Sequence, residues 1–290
     1  MTDQRPADSS ASGKARALAL SCHPIPTLAV TAISAGLAAL AGLSLGRAAL
    51  LIAAVFAGQL SIGWSNDAID AARDRATARA DKPVARGAVS PHTVAVAAGV
   101  ALVVAVVLSL ALGWLPGLAA LTVVACGWAY NLGLKGSPAS FVPYAIAFGI
   151  LPAVATLSAP DPAWPAPRAM LMGALFGVSA HLANVLPDLD DDVENGVRGL
   201  PHRMGARTTA IACPILLAAA CLVVLLGTSD VADRGIEAWR WAAAAALVLL
   251  AAAGVVVAVR RPAGRALFGI VIVTALIAVV LFAVSGRALT

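Results

Sequence analysis

Long apolar runs separated by short polar connections set the frame of the chain. They fall at roughly 25 to 45, 48 to 66, 91 to 112, 114 to 134, 138 to 158, 168 to 187, 207 to 228, 236 to 259 and 264 to 286. Each comes near the ~17 to 25 residues with which an α-helix crosses a bilayer. The pattern predicts an all-α, polytopic membrane protein with nine transmembrane helices. Residues 1 to 22, rich in Ser, Ala, Asp, Arg and Lys, read as a disordered cytoplasmic tail without a signal peptide, and residues 23 to 290 as a single transmembrane domain. Two polar stretches interrupt this frame in the same way. One closes the second run at residues 66 to 86, the other closes the sixth at 181 to 201, and Asp70 and Asp188 lie 118 residues apart. Each stretch follows the second helix of a four-helix set. The spacing points to two repeats, about 25 to 135 and 138 to 259, with a ninth helix added at 264 to 286.

Composition sharpens the class. The chain is 60% hydrophobic and 12% charged, with a mean hydropathy of +0.89, about half the charge of a soluble protein. The net charge of +5 is better read as topology than as a nucleic-acid footprint, because Lys and Arg gather in alternate connections. One side holds Arg5, Lys14, Arg16, Arg73, Arg75, Arg79, Lys82, Arg86, Lys135, Arg198, Arg203, Arg207, Arg260, Arg261 and Arg265. The other holds Arg47, Arg168, Arg234, Arg240 and Arg287. This asymmetry places the N-terminus and both acidic stretches in the cytoplasm and the C-terminus outside a multi-pass cell-membrane protein. Cys22, Cys126, Cys213 and Cys221 show neither C-x-x-C pairing nor metal spacing and read as packing residues.

The acidic stretches carry the candidate chemistry. On a helix continuing past Trp64, steps of three and four bring Asn66, Asp70 and Asp74 to one face with Asp67 beside them. Like charges so close need a cation among them, and hard oxygen donors suit Mg²⁺ shared with substrate phosphates. Asn184, Asp188 and Asp192 repeat the four-residue spacing, so these seven residues form the candidate metal set. Pro187 predicts a kink or a helix end just before the second group of acids. An EF-hand reading of residues 188 to 199 fails at Val193, where glycine is required, and at Gly199, where the bidentate Glu belongs. Inverted or parallel repeats commonly place one shared site at their interface, so the two clusters are expected to face one cavity. Arg79, Lys82, Arg86, Lys135 and Arg198 are candidates for binding a diphosphate, against a plain role in topology. Gln59 and His181 each lie seven residues before a motif, on its helix face, and are candidates for an acceptor pocket together with His23 and Asn131. Helix-to-helix hydrogen bonding is the competing role for Gln59 and His181.

The segment N-D-A-I-D-A-A-R-D at residues 66 to 74 resembles the NDxxDxxxD signature of the UbiA superfamily of intramembrane prenyltransferases. D-K-P-V-A-R-G-A-V-S resembles the segment that follows it there. Asp188, Asp192, Gly196, Leu200 and Pro201 resemble the second aspartate motif of that family. Two departures stand out: Val185 where the second motif often begins with Asp, and Lys82 where Arg commonly precedes the proline. The resemblance implies Mg²⁺-dependent transfer of an isoprenyl group from an isoprenyl diphosphate to an acceptor, aromatic or a quinone precursor, within the membrane lipid. It also implies catalytic roles for Asp70 and Asp188, and a place near the allylic carbon for Tyr130, whose ring face would favour a cation. No nucleic acid is expected as a partner. Two alternatives stay open: a terpene cyclase of the same fold, and, from another class, a cation transporter.

Overall fold

The computed structural model describes residues 10–77, 82–194, 196–226, 237–260, 266–284 and 289. Among them every regular element is helical: α1 (Ala11–Leu20), α2 (Pro24–Leu40), α3 (Leu45–Ala76), α4 (Pro91–Ala111), α5 (Trp114–Leu132), α6 (Val142–Thr156), α7 (Pro167–Val185), α8 (Leu189–Glu194), α9 (Leu200–Met204), α10 (Ala206–Leu226), α11 (Glu237–Arg260) and α12 (Ala266–Val284). Among the described residues, each apolar run overlaps one of these helices. Among the described residues, α3, α4, α5, the continuous stretch Pro167–Glu194 that runs from α7 through α8, and α10 are long and apolar enough to cross a membrane, and the α1–α2 pair, bent by 62°, passes the same test as a pair. The fold is that of a multi-pass helical membrane protein.

In the first half, α3 packs on α2, α4 and α5; in the second, α7 packs on α6 and α10, and α10 on α11, while α12 bridges α2 and α7. Caps fix several helix starts. The hydroxyls of Ser44 and Ser90 accept from the backbone N–H of Arg47 and Thr93, and Pro91 supplies a preset first turn to α4. Arg47 also donates from Nε to the Ser158 carbonyl and from Nη2 to the Leu112 carbonyl, both at 2.8 Å. One side chain thereby ties the start of α3 to the ends of α4 and α6 and pins that end of the bundle shut.

Residues 10 to 22 depart from the disordered tail expected of them. Ala11–Leu20 form α1, capped by Ser10, and Ala17, Ser21 and Cys22 are buried. The cause is tertiary: Ala17 packs in a small cluster with Ala71, Val84, Val89 and Val94, and Trp64 Nε1 donates to the Leu18 carbonyl at 2.8 Å. Residues 1 to 9 lie outside the described residues.

At the corner between α1 and α2 the backbone runs against α3. A Cβ added to Gly63 would overlap the carbonyl and Cα of Cys22, whereas one added to Gly46 meets nothing within 4 Å. Gly63→Ala is therefore expected to lower unfolding stability by about 1–3 kcal/mol, the usual cost of overpacking. Gly46→Ala, early in the same helix, should be neutral or stabilising by ~0.5–1 kcal/mol. Parallel thermal melts of the two variants check the close approach, and equal melts would contradict it.

Candidate active site

Helix α3 has 32 residues and so runs about 48 Å at ~1.5 Å per residue, well beyond the ~30 Å hydrocarbon layer. It stays unbroken to Ala76, and its last turns carry the first acidic motif on an inward face. Asp67, Asp70 and Asp74 are all buried, which would be prohibitive for bare carboxylates, and each has a cationic or imidazole partner. Lys82 Nζ lies 2.8 Å from Asp74 and 3.3 Å from Asp67. His23 Nε2 hydrogen-bonds Asp67 at 3.0 Å. Arg73 Nη2 sits 2.8 Å from Asp70, and Lys135, in a 3₁₀ turn after α5, contacts the other oxygen of Asp70.

The two lysines differ electrostatically. Burial opposes the charge on Lys82, but Asp67 and then Asp74 outweigh it and hold the ammonium above its ordinary 10.5. Lys135 is held below that value, because burial outweighs the one carboxylate it shares with Arg73. His23 stands at the N-cap of α2 with φ 54 and ψ 70, an uncommon left-handed conformation for a residue with a Cβ. Asn66 donates to the Asn131 side-chain oxygen at 3.1 Å, and Asn131 donates to the Ile62 carbonyl and to Ser65 Oγ. These bonds lock α5 to α3 at the height of the motif.

The second motif is built differently. Helix α7 gives way at Leu186 to a 3₁₀ turn, Leu186–Asp188, with Pro187 inside it, and α8 follows. Asp188 and Asp192 are half-buried, Asp190 and Asp191 exposed. Asp192 lies 3.4 Å from His202 Nε2, a histidine whose side chain is only 3% exposed, although its place in the sequence suggests a solvated loop. A clasp steadies the loop after α8: the Leu200 N–H donates to Ser140 Oγ at 2.9 Å, Ser140 Oγ hydrogen-bonds His181 Nε2 at 3.0 Å, and Gly199 packs on the Lys135 carbonyl.

Below the charged layer a cavity of about 190 Å³ opens among α2, α3, α5, α6, α7 and α12. His23, Asn66 and Asn184 stand at its mouth, and Gln59, Tyr130 and Asn131 also line it. The first residues of the two motifs thus line one apolar chamber. Tyr130 and Tyr144, the chain's two tyrosines, meet edge to face with ring centroids 5.2 Å apart, and Tyr144 stacks parallel to Phe148 at 6.4 Å. All three line the cavity. Tyr144 and Phe148 were not among the residues singled out from sequence.

Other predicted residues lie elsewhere. His181 is fully buried behind the tyrosines, its ring centroid 5.0 Å from Tyr144 and 5.6 Å from Tyr130, and is not in the cavity wall. This corrects its assignment to the acceptor pocket: the α7 face carrying Asn184 turns His181 toward Ser140. Arg86 and Arg198 are exposed and also outside the wall. Arg79 lies outside the described residues. Arg73, read from sequence as a topology residue, instead pairs with Asp70. Among the described residues no three Asp, Glu, His or Cys side chains converge as a closed metal cage. The donors of the first motif, Asn66, Asp67, Asp70 and Asp74, are all oxygens, which suits a hard divalent cation held by one or two carboxylates with substrate phosphates completing its shell.

Fold and site together define a multi-pass helical membrane protein with an ionic layer capping an apolar chamber. The sequence matches the UbiA prenyltransferase family over residues 26–268, and the chain belongs to that family. No curated protein sequence matches it significantly. Among solved structures, it resembles a UbiA homologue from Archaeoglobus fulgidus bound to GPP and Mg²⁺, with a TM-score of 0.72 at 15% identity, covering 94% of this chain and 99% of that one. An apo UbiA homologue from Aeropyrum pernix K1 gives a TM-score of 0.71 at 18% identity, covering 87% and 94%. A digeranylgeranylglyceryl phosphate synthase gives 0.64 at 15%, covering 94% and 98%.

Proposed function

We propose that the protein transfers an isoprenyl group from an isoprenyl diphosphate to a lipophilic or aromatic acceptor within the membrane, releasing diphosphate with the help of Mg²⁺. The observation that carries this reading is that Asn66 and Asn184, the first residues of the two motifs, line one apolar cavity. An amphipathic donor fits that arrangement, with its anionic head in the ionic layer and its tail below. Bound Mg²⁺ would neutralise charge on the departing diphosphate, with Asn66, Asp67, Asp70 and Asp74 of the first motif and Asn184, Asp188 and Asp192 of the second as its candidate ligands. Lys82, Lys135 and Arg73 stand among those carboxylates, placed to contact phosphate oxygens. Tyr130 and Tyr144 wall the cavity with aromatic rings, keep water from the reacting carbon, and offer ring faces to an allylic cation. The positive-inside bias supports a cytoplasmic face for this chemistry.

The ring reading has its own test. Tyr130→Phe should keep turnover within about tenfold, whereas Tyr130→Leu should lose about 30-fold, the scale of a desolvated cation–π contact of ~2 kcal/mol. Equal rates for the two variants would remove the ring from the reaction. The reading as a whole is tested by incubating purified protein with Mg²⁺, a ladder of prenyl diphosphates and a panel of acceptors. Products whose mass combines donor and acceptor support transfer. Hydrocarbon or alcohol products alone assign a cyclase, and an absence of diphosphate release with every pairing overturns the proposal.

A further inference from the structure

The cavity has a floor. Its wall descends to Ile33 on α2, Gln59 on α3, Val123 on α5, Leu151 on α6 and Phe176 on α7. About one turn further along each helix, away from the motifs, stand Leu37, Val55, Ala120, Val154 and Met172, all buried and all in the same packed cluster, yet none in the wall. On five of the six helices that line the cavity, the wall therefore ends at one depth. Beyond that depth, Arg47 ties the ends of α4 and α6 to the start of α3. Phe176 is the largest side chain in this floor, 5% exposed and shared between wall and core.

The depth can be read from helix rise. Asn184 to Phe176 is eight residues, and Asn66 to Gln59 and Tyr144 to Leu151 are seven each, so the chamber reaches about 10 to 12 Å below the motifs at ~1.5 Å per residue. With carbon–carbon bonds of ~1.5 Å, a four-bond isoprene repeat extends about 5 Å. Two repeats fill the depth, and a third fits only if the chain folds within the width of the chamber.

We infer that the floor formed by Phe176 and Leu151 is a length ruler, which restricts the donor to short prenyl diphosphates of ten to fifteen carbons. The inference rests on the proposed transfer from a prenyl diphosphate and names the donor class for that same site. A longer tail would have to leave its end outside the chamber or break the packed layer, and close-packed interiors resist such insertion. Ala147 projects into the chamber at mid-depth. A larger side chain there shortens the ruler without opening a void.

Binding, read apart from turnover, decides it. Non-hydrolysable prenyl thiolodiphosphates of five, ten, fifteen and twenty carbons are titrated with Mg²⁺ against wild type, Phe176→Ala and Ala147→Leu, following thermal stabilisation in detergent. Wild type should bind best at ten or fifteen carbons and be at least about tenfold weaker at twenty, as expected when the added repeat must be forced into a close-packed floor. Phe176→Ala should move the optimum to twenty carbons, and Ala147→Leu should move it to five or ten. Should Phe176→Ala fail to fold, the wild-type profile and Ala147→Leu still decide. A wild-type affinity that rises through twenty carbons, or a profile that Ala147→Leu leaves unmoved, overturns the ruler. Tight, length-selective binding without release of diphosphate from true substrates would instead overturn the proposed reaction and leave the ruler standing.

Discussion

Asp70→Asn is expected to lower turnover by about 10³-fold, the scale seen when a single preorganised electrostatic contact to a transition state is lost, while leaving the fold in place. Two cations converge on Asp70, Arg73 at 2.8 Å and Lys135. Asn keeps the volume and removes the charge, so any metal and phosphate held there lose a ligand with no cavity created. The structural cost should be modest, because the Asn side-chain oxygen can still accept a hydrogen bond from Arg73 or Lys135, and Arg73 is partly exposed to solvent. The measurement pairs diphosphate release from a prenyl diphosphate and Mg²⁺ with a thermal melt of the same preparation. Loss of turnover with a melt within a few degrees supports the assignment. Full turnover would remove Asp70 from the reaction, and a collapsed melt would recast it as a folding residue. Asp188→Asn should behave alike, although Asp188 stands on a 3₁₀ turn and is half-exposed, so less of its effect should appear in the melt.

What the sequence made visible has a common physical origin. Apolar runs of ~20 residues carry enough signal to place helices whatever their neighbours, and helical periodicity alone brings Asn66, Asp70 and Asp74 together once α3 is known to continue. Long-range partners were illegible. Nothing near Tyr130 announces Tyr144, because a 3₁₀ turn and a loop separate them and only the fold of α6 back along α5 brings the rings together. His202 meets Asp192 for the same reason. Helix α1 was missed because the residues it buries are small and sit among polar ones, so its order depends on α3 and the loop around Val84. Arg73 was misread because one residue type serves both topology and ion pairing. The three-residue step from Asp70 to Arg73 on a helix that continues past Trp64 carries the pairing. The symmetry between the motifs is also weaker than their matched spacing implies, since Pro187 replaces a continuous helix with a tighter turn.

Lys82→Met should cost about 3–5 kcal/mol of stability in the metal-free protein, the scale of removing one partner from a buried ion pair. One ammonium, its side chain 13% exposed, holds two carboxylates that are themselves buried, Asp67 and Asp74. Its intact pairs contribute little net, since desolvation offsets attraction, but their removal strands two negative charges near each other. Asp74→Asn added to Lys82→Met should recover at least ~1 kcal/mol, the coupling expected of groups in direct contact. The pH dependence has a definite sign. Lys82 in the folded protein titrates above its ordinary 10.5, so its contribution is complete below that pH and fades as pH rises through the higher folded value. Wild type should thus approach Lys82→Met in stability only above pH 10.5. Melts in chelator across pH 7 to 11 make the measurement, and a mutant as stable as wild type at neutral pH would refute the claim that Lys82 is the internal counterion of the site. Mg²⁺ supplies the converse check: with the ammonium gone, the two carboxylates lack their resident cation, so added Mg²⁺ should raise the melt of Lys82→Met more than that of wild type.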